Sequence, residues 1–488
     1  MTRPKKESGT QGSWEGVSRR DVLGGMAAIG GVVAAGSAMQ GCTTRKDAEN
    51  LDVIVIGGGF AGCVCARDLA HRDYNVTLLE AQGRLGGRAF TSEFAGKIYE
   101  VGALMLSWKE PFMWAEVMRY GLEIEPIVGV LAPERCYWIT DGKAMNAPAE
   151  EFYEIFVPPI FKFFEDVGTV FPYPYAPLTN REAVEKLDRF SVMDRVKTLP
   201  TQQERDFADN WASVPLARAA ADVGLVPSLA LTAAFGGVQA SLEGASYRLK
   251  KGTSHLVEKI VEDGGFEYRL QSPVSSIEQS GTGVTVTIEG GETFKASAVV
   301  LAAPVNTYHN IDFTPPLSPE KLTVSKGKMA GGQGAHINAR LKGKMPPILA
   351  VAPSHMPLHL LLTTDILEDS VIVDGYGPDA SLFDGGDPEA VQEVIRQWMP
   401  DIEVMETVSY RWDLDPFSQG TWCGFGPGVL SKYYEALREP EGNIYFASGD
   451  SATAFRGFME GAIESGVRVA RDVHNTFNAG KKTEDNSV

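Results

Sequence analysis

Four groups of residues have the types and spacings from which chemistry can be built. The first is Gly57-Gly58-Gly59-Phe60-Ala61-Gly62, which follows the β-branched run Leu51–Ile56 and opens a helical pattern reaching about Arg72. Val76–Leu79 then reads as a second strand, ending at Glu80, eighteen residues beyond the last glycine. Strand, tight turn, helix, strand and terminal acid are together the context in which G-x-G-x-x-G seats a dinucleotide. Gly57 permits the turn, and Gly59 lets backbone approach a pyrophosphate at the helix's positive end. Gly62 lets helix and strand pack closely, and Glu80 is placed to accept from ribose hydroxyls. The second group, Ala81 to Arg88, sets Arg84 and Arg88 around Gly86-Gly87 directly after that acid. A charged surface loop would not need this pattern. The third is Asp450, just past the apolar run Asn443–Ala447, with a helix expected from Arg456. The fourth is a set of rings, Trp422, Phe458 and its neighbour Phe455, to which type and spacing alone assign no role. Ordinary core is the competing reading for these rings.

These groups must be held by elements far apart in the chain. Strands are expected at Phe266–Leu270, Val274–Glu278, Val284–Glu289 and Ala298–Ala302, after a helix over Ser254–Glu262. Residues 106–240 show few strand patterns and several amphipathic runs, such as Pro111–Tyr120 and Glu151–Val167, so a helical insertion is expected there. A second insertion, about 308–407, mixes strands with loops rich in proline and glycine. The fold class is therefore α/β. A Rossmann-like domain built from 51–105, 241–307 and 408–478 is interleaved with an α+β substrate domain, 106–240 and 308–407.

The first fifty residues read as an address. Ser18-Arg19-Arg20-Asp21-Val22-Leu23 precedes an apolar stretch to Met39, resembling a twin-arginine export signal over 1–42. That stretch is interrupted by Gly24, Gly25, Gly30, Gly31 and Gly36 and is short for a membrane span. Gly41-Cys42 sits where a bacterial lipoprotein would be cut and acylated, which implies periplasmic or membrane-tethered location; an incidental cysteine is the alternative. Cleavage there makes the remainder two charges more negative than the full chain's −18. Such acidity argues against an extended phosphate-binding surface, so nucleic acid is not an expected partner. Cys63, Cys65, Cys136 and Cys423 form no metal-ligand spacing, and neither a disulfide framework nor a protein-bound metal is expected.

The segment Glu80–Arg88 resembles the signature of the FAD-dependent amine oxidase superfamily. From about 51 to 475 the chain looks like a flavin-dependent monoamine oxidase of the bacterial nicotine and pseudooxynicotine type, through Arg88–Glu100, Ala352–Thr364, Asp413–Trp422 and Gly461–Gly466. The resemblance implies that Arg84, Gly86, Gly87 and Arg88 wrap the pyrophosphate and approach the flavin. It adds Ala61, Ala81 and Met459 to the cofactor set, lays Val274 against the adenine and sets Asp450 on the ribityl chain. It makes Trp422 and Phe458 the two walls that sandwich a substrate amine. The reaction it implies is hydride transfer from the carbon next to a neutral amine to flavin N5, then imine hydrolysis.

The sequence departs from the family in three places. The lysine usually found near N5 aligns with His336, which either holds the same water, making turnover pH-sensitive, or is a core histidine. Ala103 and Met105 replace a double glycine and aromatic in the re-face wall. Thr421 stands where animal monoamine oxidases carry the flavin-bonding cysteine, so FAD is expected to be noncovalent. Oxygen, a cytochrome or a quinone is the implied electron acceptor, and dimers are common in the family. Two other readings stay open: a flavin desaturase or dehydrogenase of a neutral substrate, and a non-catalytic flavin-binding lipoprotein.

Overall fold

The computed structural model describes residues 51–485, apart from 245 and 282; the expected export signal and Cys42 lie outside the described residues. The strand Leu51–Ile56 (β1) lies at the centre of an eight-stranded sheet. It runs parallel to Val76–Leu79 (β2) on one side and to Thr293–Leu301 on the other. Glu267–Arg269 extends the sheet beyond β2. The outer edge of Thr293–Leu301 is divided between two partners. Its first half pairs antiparallel with Gly283–Ile288, and its second half pairs parallel with Ile444–Phe446. Strands from distant parts of the chain, Thr293–Leu301 and Ile444–Phe446, are thereby added in parallel on one side of β1.

Both faces of β1 are covered, as its continuous β-branched run requires. Val53 and Val55 pack with the helix Phe60–Ala70 (α1) and with the helix Met459–Asp485. Ile54 and Ile56 enter a separate core behind the sheet. Each such side chain contributes about 1.5–3 kcal/mol on burial. Gly57 has φ +105°, and a Cβ there would sit 2.8 Å from the Ala302 carbonyl oxygen, so the β1–α1 turn needs glycine. Cys63, Cys65, Cys136 and Cys423 are all buried free thiols.

A second, seven-stranded sheet carries the rest of the cavity wall, in the order Val404–Ser409, Ala335–Lys342, Ser370–Gly377, Leu360–Ile366, Ile348–Val351, Arg135–Thr140 and Lys143–Pro148. The last two strands lie within the stretch expected to be helical. Tyr137-Trp138-Ile139 favours a strand, and Asp141-Gly142, at φ +49° and +68°, makes the two-residue hairpin turn. Helices Ala149–Phe163, Gln202–Ser213 and Leu225–Ala234 supply the remaining wall. The second of these starts at a Thr201/Glu204 capping box. The C-terminal helix begins at Met459 and not at Arg456, because Phe455 and Gly457 take positive φ. A side chain at Gly457 would strike the Cys423 backbone. Among the described residues no helix is long and apolar enough to cross a membrane.

Candidate active site

A cavity of about 850 Å³ runs from the β1–α1 turn to the second sheet. At one end it is lined by Gly57, Gly59, Ala61, Glu80, Ala81, Gly86, Gly87 and Arg88, and farther along by Val274 and Glu289. Both Glu80 oxygens accept from backbone amides, Gly58 at 2.6 Å and Gln82 at 2.7 Å. Burial nevertheless pushes this carboxyl above its ordinary value, against the pull of those amides. The Gly86 amide donates to the Gly58 carbonyl at 2.8 Å, tying the double-glycine loop to the turn.

These residues fit a dinucleotide's pyrophosphate. No side chain caps the first turn of α1, so its amides are open to an anion. A Cβ at Gly59 would meet nothing nearer than the Gly86 carbonyl oxygen at 3.9 Å, and one at Gly87 would lie 3.4 Å from the Gly59 Cα. Any side chain at either position would fill this cradle. Gly62 lies behind it, where a Cβ would overlap the Gly57 carbonyl oxygen.

Two expected contacts are turned elsewhere. Arg84 donates to the Leu85 and Gly87 carbonyls, with its guanidinium 4.1 Å over the Phe90 ring, so it braces the loop. Asp450 is fully buried and does not line the cavity. Its oxygens accept from Arg88 at 2.8 Å and from the Val305 amide at 3.1 Å. Arg88 also donates to the Thr421 carbonyl at 2.5 Å, which joins the signature loop to the segment bearing Trp422.

The aromatic end is formed by Trp422, Phe458, Phe235 and Tyr376, with Met459 at the mouth of the C-terminal helix. Phe458 packs edge-on to Phe235 and Phe455, and Trp422 edge-on to Tyr376. His336 lines the cavity and lies flat against Tyr376, with centroids 4.7 Å apart and planes at 8°. Its Nε2 is 2.6 Å from Asp374 Oδ1, and its Nδ1 is 3.3 Å from the Val101 carbonyl oxygen. Burial opposes charge on this imidazole, but Asp374, the Val101 carbonyl and Glu100 together hold the ring above its ordinary value. Burial and Asp374 both push the Tyr376 phenol well up. Ala103 and Met105 also line the cavity, beside Gly102.

Sequence reasoning missed Phe235, Asp374 and Tyr376. Asp374 and Tyr376 share one face of a strand, and the register pairs His336 with Tyr376 and Asn338 with Asp374. The alternation was legible, but not the partner strand.

A family model described as flavin containing amine oxidoreductase matches residues 60–474. The chain belongs to that family. It is 34% identical over 487 residues to pseudooxynicotine dehydrogenase of a Pseudomonas species, spanning 94% of this chain and 96% of that one. It is 33% identical over 475 residues to nicotine dehydrogenase of Pseudomonas putida, spanning 94% and 97%. Its fold resembles that of putrescine oxidase, with TM-score 0.75 at 20% identity over 87% of this chain and 99% of that one. The protein is accordingly a flavin-dependent oxidoreductase acting on amine C–N groups.

Proposed function

We propose that the enzyme oxidises an amine attached to a bulky apolar or aromatic group, at the carbon bearing the nitrogen, with noncovalent FAD. When bound, FAD supplies the two-electron acceptor for that carbon. The observation that carries the reading is one continuous cavity joining the glycine cradle to the aromatic end. Gly59, Gly86, Gly87 and the first turn of α1 would hold the pyrophosphate, and Val274 the adenine side. Trp422, Phe458, Phe235 and Tyr376 orient the substrate and exclude water.

The lining selects the neutral amine. Outside the nucleotide end its one acid among the described residues is Glu243, which is exposed and engaged with Lys109. An ammonium would enter the aromatic end without a free counter-charge, at a desolvation cost that the neutral amine avoids. The amine's lone pair then assists departure of the hydride to that acceptor, and water hydrolyses the iminium, breaking its C–N bond to leave a carbonyl and a free amine. The relatives named for pseudooxynicotine and nicotine supply the first substrates to try. Mass spectrometry after turnover in ¹⁸O-labelled water, with the product trapped by reduction, should find one labelled oxygen at the oxidised carbon. An unlabelled alkene product would favour the desaturase reading.

Noncovalent binding is supported by the lining, in which no cysteine appears among the described residues; Cys423 instead points its sulfur to the Asp450 carbonyl. Acid precipitation should leave the yellow colour in the supernatant. Twin-arginine export, with oxygen, a cytochrome or a quinone as acceptor, rests on Ser18–Leu23 and the apolar stretch behind it. Fusing residues 1–50 to a folded reporter tests export.

A further inference from the structure

His336 is the residue expected at the family's lysine position, and neither of its nitrogens is free. A backbone carbonyl can only accept, so the Val101 oxygen requires a proton on Nδ1. Asp374 Oδ1 at 2.6 Å faces Nε2, and a carboxylate is likewise an acceptor. The protonation of an imidazole follows from its partners, and here both partners call for N–H. The other Asp374 oxygen accepts from the Tyr376 hydroxyl at 2.5 Å. Asp374 is wholly buried and does not itself line the cavity, whereas His336 and Tyr376 do. The ring stack against His336 and the edge contact to Trp422 then make one layered wall. Val101, the anchor of Nδ1, also accepts from Trp412 Nε1 at 3.0 Å, which ties this wall to the segment beside Arg88.

We propose that Asp374 is the positioning residue of the substrate wall: accepting from both His336 and Tyr376, it holds His336 as a fixed imidazolium and locks both rings in register. His336 is then neither the water holder nor a switch, since no lone pair remains on it. Both its protons are spent inside the protein, and Tyr376 is the group this layer offers to the substrate. The titratable groups facing His336 are Asp374 and Tyr376 on the Ser370–Gly377 strand and Glu100 on the segment before Val101. Ser409, from the strand on the other side, contributes only a hydroxyl to the His336 carbonyl. The consequence for rate rests on the amine reading of the cavity; the protonation state does not.

The decisive experiment is ¹⁵N NMR of histidine-labelled holoenzyme, with the His336 signals assigned by their loss in His336→Gln. Both nitrogens should keep imidazolium shifts from pH 6 to 9. Appearance of an unprotonated nitrogen within that range in the unmodified enzyme overturns the proposal, and this needs no second variant to fold. In Asp374→Asn the same nitrogens should titrate, while Tyr376→Phe, which keeps the carboxylate, should preserve the imidazolium signature. With nicotine as probe, Asp374→Asn should lower the limiting rate of anaerobic flavin reduction about 10- to 100-fold, with a smaller change in substrate affinity. Its pH profile should gain an ionisation absent from the unmodified enzyme. Unchanged NMR signals and rate in Asp374→Asn would also overturn the proposal. If nicotine reduces no form of the enzyme while the NMR result holds, the substrate reading fails and the imidazolium assignment stands.

Discussion

Replacing Gly59 with alanine separates the cofactor's needs from those of the fold. Gly59 has φ −74° and ψ −179°, a conformation alanine adopts freely. The new methyl would find its nearest neighbour at 3.9 Å, so the apoprotein has room for it. Reduced freedom in the unfolded chain stabilises by about 0.4–1 kcal/mol. Alanine is the poorer N-cap, which costs a similar amount, leaving a net change within roughly 0.5 kcal/mol. The bound cofactor meets a different situation, because the methyl stands where the pyrophosphate must approach. Loss of one amide-to-phosphate bond, worth about 1.5–3 kcal/mol, weakens FAD roughly 10- to 100-fold at 1.4 kcal/mol per tenfold. Gly62→Ala behaves oppositely. Its methyl overlaps the Gly57 carbonyl, so backbone must shift, and the apoprotein loses about 1–3 kcal/mol. Denaturant melts of the two apoproteins and fluorescence titrations with FAD make the comparison. Tight FAD binding by Gly59→Ala would refute the placement of the pyrophosphate over this turn.

Trp422→Ala should slow flavin reduction by a substrate amine about 10- to 100-fold, as misplacement does, while FAD stays bound; release of FAD would make Trp422 a scaffold residue. Arg88→Met should destabilise by about 3 kcal/mol or more, since it leaves the Asp450 carboxylate buried without its cation, and Arg88→Lys should recover part of that. Glu100 and Glu460 are each pushed up to about 7, chiefly by burial, from an ordinary value of 4.5. The folded chain therefore holds these protons more tightly than the unfolded one. The stability they contribute is complete below about 4.5 and is lost as pH rises through about 7. Melts from pH 5 to 8.5 should show this fall, and Glu460→Gln should flatten it; a rise with pH would contradict the sign.

What the sequence revealed was local in character. The β1–α1–β2 unit could be read because its glycines, helix start and terminal acid fall within thirty residues and obey one steric logic. The aromatic residues could be named through resemblance, but their setting could not. His336 and Tyr376 are forty positions apart, and only the antiparallel register stacks them. Arg84 and Asp450 show a further limit. The resemblance places them near the pyrophosphate and ribityl chain, yet in the fold they bond to the Gly87 carbonyl and to Arg88 and the Val305 amide. Residue type announces what a side chain can bind, and tertiary geometry decides which partner it finds. The hairpin at Arg135–Pro148 lies among amphipathic runs of helical period, and its only local mark is Asp141-Gly142, a strong hairpin signal.

In the function proposed above, the aromatic end of the cavity presents a neutral amine to a bound flavin. Anaerobic mixing of the holoenzyme with a panel of pseudooxynicotine, nicotine and simpler apolar amines, followed by bleaching of the flavin absorbance, tests it directly. At least one amine should bleach the flavin, at a rate that rises with pH as the substrate loses its proton. Bleaching by a neutral ring compound with no response to any amine would show that this cavity does not serve amine oxidation.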